Sequence, residues 1–170
     1  MSFAHVAALV VALGGCVTDL RTRRIPNLLT VGAALVAFGY HGFTGGLSGL
    51  GVSIGGWLVG GVIFLPLFAV RGLGGGDVKL MAALGAWIGP TAAVWLALYT
   101  ALAGGVFALL VALSRGYVRQ ALSNVWSILV FWRIAGIQEH PVFNVDSTRA
   151  VRMPYALPIA AGLVTTIWLR

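Results

Sequence analysis

The sequence predicts an all-α integral membrane protein, a bundle of about six transmembrane helices forming a single domain over residues 1–170, because each span consumes about 20 apolar residues. Three observations predict it. Of 170 residues, 59% are hydrophobic and only 9% are charged, against about 25% charged in ordinary soluble domains. Mean hydropathy is +0.98. The few charges fall between long apolar runs, and the short connections leave no room for a separate soluble domain.

The first run, Phe3 to Val17, stops at Asp19-Leu20-Arg21-Thr22-Arg23-Arg24, and Ile25-Pro26-Asn27 follows. Leu28 to His41 resumes the apolar pattern. A charge-free connection, Gly42 to Ser48, leads to the third run, Leu50 to Val70, which Arg71 ends. Gly72 to Gly76 reads as a flexible break before a short fourth run, Val78 to Ile88, which turns at Gly89-Pro90. Thr91 to Leu113 is the fifth run and Met153 to Leu169 the sixth. Between them, Leu122 to Ile137 is apolar and carries Trp126 and Trp132, yet Ser123, Asn124, Ser127 and Arg133 interrupt it. A helix lying in the membrane interface fits this stretch better than a seventh span, with a re-entrant segment as the alternative.

Cations orient the spans. Arg21, Arg23 and Arg24 lie in the first connection, Arg71 and Lys79 border the third, and Arg115, Arg119, Arg133, Arg149 and Arg152 lie in the fifth. The second and fourth connections hold none. The positive-inside rule then places the odd-numbered connections in the cytoplasm and both termini outside. The net charge of +7 is accordingly read as topology in a lipid bilayer, not as affinity for nucleic acid.

The single cysteine, Cys16, excludes an internal disulfide and a multi-cysteine zinc site. His5, His41 and His140 are too scattered for a histidine zinc motif, so neither metal nor cofactor is expected. Leu13-Gly14-Gly15-Cys16 partly matches a lipoprotein cleavage site, but Met1 to His5 lacks the positive start of a signal, so no processing is expected there. Replacing Cys16 by alanine is expected to leave activity intact.

In the third run, Gly51 with Gly55 and Gly56 with Gly60 make G-x-x-x-G pairs that let helices approach closely. Packing within the chain is favoured over dimerisation, and the oligomeric state stays open. Gly46-Leu47-Ser48-Gly49 spells the G-x-S-G string of rhomboid-type serine proteases, but the needed histidine base has only His41 as a candidate on that face, seven residues away.

The four acids say more. Asp19 and Asp77 both end apolar runs on the predicted cytoplasmic face, whereas Glu139 and Asp146 lie in the polar fifth connection. An ionisable group at a span's edge is a functional hypothesis by default. The plainer readings are an ion pair of Asp19 with Arg21 or Arg23 and a helix cap at Asp77. Gly74, Gly75 and Gly76 directly before Asp77 tip the balance. They allow the backbone to unwind, take positive φ and admit an extended peptide. Two carboxyls on one face, beside such an opening, are the parts needed for acid–base hydrolysis of a peptide bond.

Gly74-Gly75-Gly76-Asp77 fits the G-x-G-D signature of intramembrane aspartyl proteases, and its extension through Val78-Lys79-Leu80 resembles that of prepilin peptidases. Asp19, followed six residues later by Ile25-Pro26-Asn27, is similar to that family's first-aspartate segment. Met153-Pro154-Tyr155-Ala156-Leu157-Pro158 is similar to its last span. The resemblance implies an aspartic endopeptidase of the bacterial inner membrane, cleaving the basic leader from type IV prepilins at the cytoplasmic face. It implies Asp19 and Asp77 as the catalytic pair, supported by Gly74, Gly75, Gly76, Lys79, Ile25, Pro26 and Asn27. The partners would be a prepilin with a basic leader and an apolar helix, and pilus or secretion machinery. Larger members add a cytoplasmic zinc-binding region and methylate the new N-terminus. Here Asp19 follows the first run at once and Cys16 stands alone, which implies peptidase activity without methyltransferase activity, as in the small enzymes serving Flp-type pili. The competing readings are a small proton- or cation-coupled transporter using the two aspartates, and a structural subunit in which both would be replaceable.

Overall fold

The computed structural model of the chain describes residues 1–70, 72–136 and 154–169. Six helices account for nearly all of them: α1 (Phe3–Thr22), α2 (Asn27–Ala69), α3 (Gly75–Ile88), α4 (Pro90–Ser114), α5 (Val118–Ala135) and α6 (Ala156–Leu169). No strand occurs among the described residues. α1, α2 and α4 are long and apolar enough to cross a membrane, and α6 is a shorter apolar helix.

At 43 residues, α2 is far longer than a bilayer requires. Straight, it would run about 65 Å at 1.5 Å per residue, twice the hydrocarbon thickness of about 30 Å. It is folded on itself at Gly46, whose φ of 60° and ψ of −149° belong to a region essentially confined to glycine. The reversal brings the backbone of Gly49 against the carbonyl of His41 and sets the Phe38 and Trp57 rings 6.4 Å apart. Residues 27–45 and 47–69 are therefore two antiparallel limbs, which correspond to the second and third runs of the sequence. The expected loop from Gly42 to Ser48 shrinks to one glycine, because residues on both sides of it stay helical.

The second limb of α2 packs on α3 with no side chains between the backbones. A β-carbon on Gly56 would collide with the Gly85 carbonyl, one on Gly60 with the Met81 carbonyl, and one on Gly85 with the Gly56 carbonyl. Ser53 Oγ, fully buried, donates to the Ala86 carbonyl at 2.7 Å in the same seam. The Gly56 and Gly60 pair is thus used inside the chain, whereas Gly51 faces open space. α3 becomes the central element: Leu80, Met81, Ala83, Leu84 and Ala86 are fully buried. α4 follows Gly89 (φ 82°) with Pro90 in its first turn, where a missing N–H costs nothing. It packs on α6 through Gly162, which lies on the backbone of Thr100.

α5 begins at Val118, four residues before the expected Leu122, and exposes Leu122, Val125 and Trp126. The expected endpoints Ile137 and Met153 lie outside the described residues, as do Arg71, Glu139, His140, Asp146, Arg149, Arg152 and Arg170.

Candidate active site

α1 does not stop before Asp19. Its last turn continues through Thr22, and Arg23 closes it in the left-handed conformation (φ 52°) with its N–H on the Asp19 carbonyl at 2.8 Å. Asp19 therefore sits on a rigid helix and not in a connection. Its side chain is buried, and its Oδ2 accepts from the backbone N–H of Ala156, the first residue of α6, at 3.3 Å. That N–H is one of the orphan donors at a helix start, where a carboxylate is also favoured by the dipole. This backbone donor, and not the ion pair with Arg21 or Arg23 that is the plainer reading of the sequence, is what Asp19 engages.

Asp77 lies in the first turn of α3, on the third helical residue. Its carboxyl reaches back to the backbone N–H of Gly74, the N-cap, satisfying another orphan donor. The anticipated cap and the anticipated functional acid are thus one group.

The glycines before Asp77 act differently from the sequence expectation. Gly74 takes φ −75° and ψ 146°, Gly75 and Gly76 are already helical, and none has positive φ. The break between α2 and α3 includes Gly72, Leu73 and Gly74, while Gly75 and Gly76 belong to α3. These two glycines allow close approach: a β-carbon on Gly76 would lie 3.2 Å from Ile25 Cβ, and one on Gly75 3.3 Å from the Phe68 ring. Ile25, buried, is the residue the first-aspartate segment inserts against the Gly74-Gly75-Gly76-Asp77 turn. Pro26 then caps α2, and Asn27 Oδ1 accepts from Lys79 Nζ at 2.8 Å. Every member of the sequence-derived set is therefore in one neighbourhood, and Asp19 and Asp77 are close enough for the charge of one to act on the other.

One turn deeper, Gly15 of α1 meets Leu80 of α3, with a β-carbon at Gly15 only 2.9 Å from Leu80 Cδ2. Gly15 precedes Asp19 by one turn and Leu80 follows Asp77 by nearly one, so this contact joins α1 and α3 close to the two carboxyls. Tyr155, just before α6, is half-buried, feels the charge of Asp77, and packs its hydroxyl on Gly104 of α4. Neither Gly15 nor Tyr155 was among the sequence-derived site residues, since spacing alone does not reveal a contact across helices.

Lys79 is exposed and ties the two motif segments together through Asn27. Lys79→Met is expected to remove about 1 kcal/mol of stability, a fall of about 2–4 °C in melting temperature for a chain of this size. Lys79→Gln, which can still donate to Asn27, should lose less, as thermal unfolding of the detergent-solubilised variants would measure.

The rhomboid-like reading finds no support in the geometry. His41 Nε2 lies 3.1 Å from the Trp87 carbonyl, within a ring cluster with Phe3 and Tyr40. Phe3 is 16 residues before Asp19 on α1, about 24 Å along the helix, so His41 and Ser48 are at the opposite end of the bundle from both aspartates. Among the described residues no cluster of His, Cys, Asp and Glu could hold a metal ion.

The profile of one family, described as the type IV leader peptidase family, matches residues 6–109 and so spans both aspartates and the Ile25-Pro26-Asn27 and Gly74-Gly75-Gly76 segments. No curated protein and no solved structure matches the chain.

Proposed function

This chain belongs to the type IV leader peptidase family, and from that premise we propose that it is an aspartic endopeptidase that removes the leader of type IV prepilins of the Flp type at the cytoplasmic face of the inner membrane. The observation that carries the aspartic assignment is the pairing of Asp19 and Asp77, two carboxyls within each other's field and each held by a backbone N–H. Like charges so placed favour one shared proton. The ionised carboxyl takes a proton from water as it attacks the scissile carbonyl, and the protonated one gives its proton to the carbonyl oxygen. The gem-diol then collapses as the carboxyl that took the water proton gives it to the nitrogen and the other carboxylate takes a hydroxyl proton, so the C–N bond breaks with no covalent enzyme intermediate and the pair again holds one proton.

Arg21, Arg23, Arg24 and Lys79 border the aspartates, which supports a cytoplasmic placement by the positive-inside rule. An apolar cavity of about 450 Å³ between the two limbs of α2 and α3 supports a substrate with an apolar segment. Its wall includes Val78 and Lys79, directly after Asp77, with Val31, Trp57 and Leu65 further along. Such a cavity offers the apolar side chains following the scissile bond a lateral seat while the leader remains in water.

The test is leader removal from an Flp-type prepilin by the purified chain in lipid, read by mass spectrometry. The expected product carries a free, unmethylated N-terminus even with S-adenosylmethionine present. An uncleaved prepilin would overturn the peptidase reading, and a methylated product would overturn only the single-activity reading.

A further inference from the structure

Asp19 owes its position to a second residue of α1. One turn before it, Cys16 is 6% exposed, and its Sγ donates to the carbonyl oxygen of Ala156 at 3.2 Å. The N–H of the same Ala156 donates to Asp19 Oδ2 at 3.3 Å. Two side chains three residues apart on α1 thus hold both main-chain polar groups of one residue of α6. The direction of the Ala156 N–H fixes where the Asp19 carboxyl can rest, and rotation of the start of α6 would break both bonds together. The start of α6 is also packed in the core, with Ala156 and Ile159 fully buried, Tyr155 just before it on Gly104, and Gly162 on Thr100 nearly two turns further on.

We propose that Cys16 is a positioning residue for Asp19, acting through the Ala156 peptide and not by touching substrate. The thiol is the donor that keeps Ala156 in register, so that its N–H stays aimed at Asp19. The inference rests on Asp19 being one of the two catalytic carboxyls. It reverses the sequence expectation for Cys16→Ala, which had no reason to connect a lone thiol to a main-chain carbonyl 140 positions away.

The experiment compares Cys16→Val, which fills the site without a donor and adds one γ-carbon, with Cys16→Ser, which keeps a donor on an unbranched side chain, in lipid-reconstituted enzyme acting on a purified prepilin. Cys16→Val should lower kcat two- to tenfold, the size of one neutral hydrogen bond, with KM within twofold, and should displace a limb of the pH–rate profile. Cys16→Ser should restore kcat to within twofold of the parent and return the profile. Unchanged kcat and profile in Cys16→Val overturn the proposal, and so does equal impairment of the two variants, which would mean that the site needs only the volume of sulfur. If Cys16→Val does not fold, Cys16→Ser decides: near-parental kcat and profile support the donor role, and a defect in a folded Cys16→Ser protein removes it. Failure of the underlying reading looks different, because Asp19→Asn would then keep its turnover whatever Cys16 does.

Discussion

Asp19→Asn and Asp77→Asn are each expected to reduce leader cleavage by at least about 10²- to 10⁴-fold, the range that general acid–base groups contribute, while leaving the helical bundle in the membrane. Asparagine keeps the size of the side chain and an oxygen that can accept. At position 19 that oxygen can still take the Ala156 N–H, and at position 77 the Gly74 N–H. What it cannot do is hold or release a proton at the required moment. The two losses should therefore not add: once one carboxyl is gone, the other has no partner with which to divide the acid and base roles, and the double variant should be no slower than either single one. The parent should show a bell-shaped dependence of kcat on pH. Activity falls on the acid side as the pair takes a second proton and loses its base, and on the alkaline side as it loses its last proton and with it the acid. The two apparent constants belong to the pair. A single variant retaining near-parental turnover would remove that aspartate from the mechanism and favour the transport or scaffold readings. Circular dichroism and detergent gel filtration on the same samples would establish that inactivity is not misfolding.

Those outcomes hinge on positions that were legible in the sequence because charge is so rare in it. With only four acids, two at the edges of apolar runs stand out, and Ile25-Pro26-Asn27 and Gly74-Gly75-Gly76 mark the segments around them. The order of the runs was legible too, since long apolar stretches and the charge-free connection from Gly42 to Ser48 are local features, although the reversal itself takes only Gly46. What local pattern could not supply is the reason for each glycine. A run of three before Asp77 looks like a hinge, whereas Gly75 and Gly76 form a regular helical turn whose bare surface admits Phe68 and Ile25. Charged residues normally end a span, so the sequence ends the first run at Val17, yet Asp19 is stabilised on α1 by the start of α6, an element that begins 137 positions later. The role of Cys16 is hidden for the same reason: its partner is a main-chain carbonyl, which no side-chain motif records.

The largest structural effect is expected from Gly56→Val in the seam of α2 and α3. A β-carbon at Gly56 meets the Gly85 carbonyl oxygen and carbonyl carbon, and the carbonyl carbon of Gly89, backbone atoms of α3 and of the residue that caps it, beside a stretch from Leu80 to Trp87 that is buried throughout. A flexible side chain could swing aside, but α3 could yield only by moving as a body, and Met81 against Gly60 one turn away and Ser53 bonded to Ala86 hold it in place. Overpacking by even a methyl group or two costs about 1–3 kcal/mol where neighbours can adjust, and here they cannot, so the cost should reach or exceed the top of that range. Much of the marginal stability of a chain this small is then lost. Gly56→Val should accumulate poorly and run as aggregate on gel filtration in detergent, and Gly56→Ala should show a milder form of the same defect. Gly51→Ala, on the other G-x-x-x-G pair, meets nothing within 4 Å and should stay within about 0.5 kcal/mol of the parent, as for an ordinary surface substitution. The comparison also decides what the glycine pattern is for. If Gly51→Ala were the damaging change and Gly56→Val harmless, the seam would lie between two copies of the chain. Because α3 carries Asp77 at its start, a shift of this seam also moves the carboxyl away from Asp19, so any folded fraction of Gly56→Val should cleave more slowly per molecule than the parent.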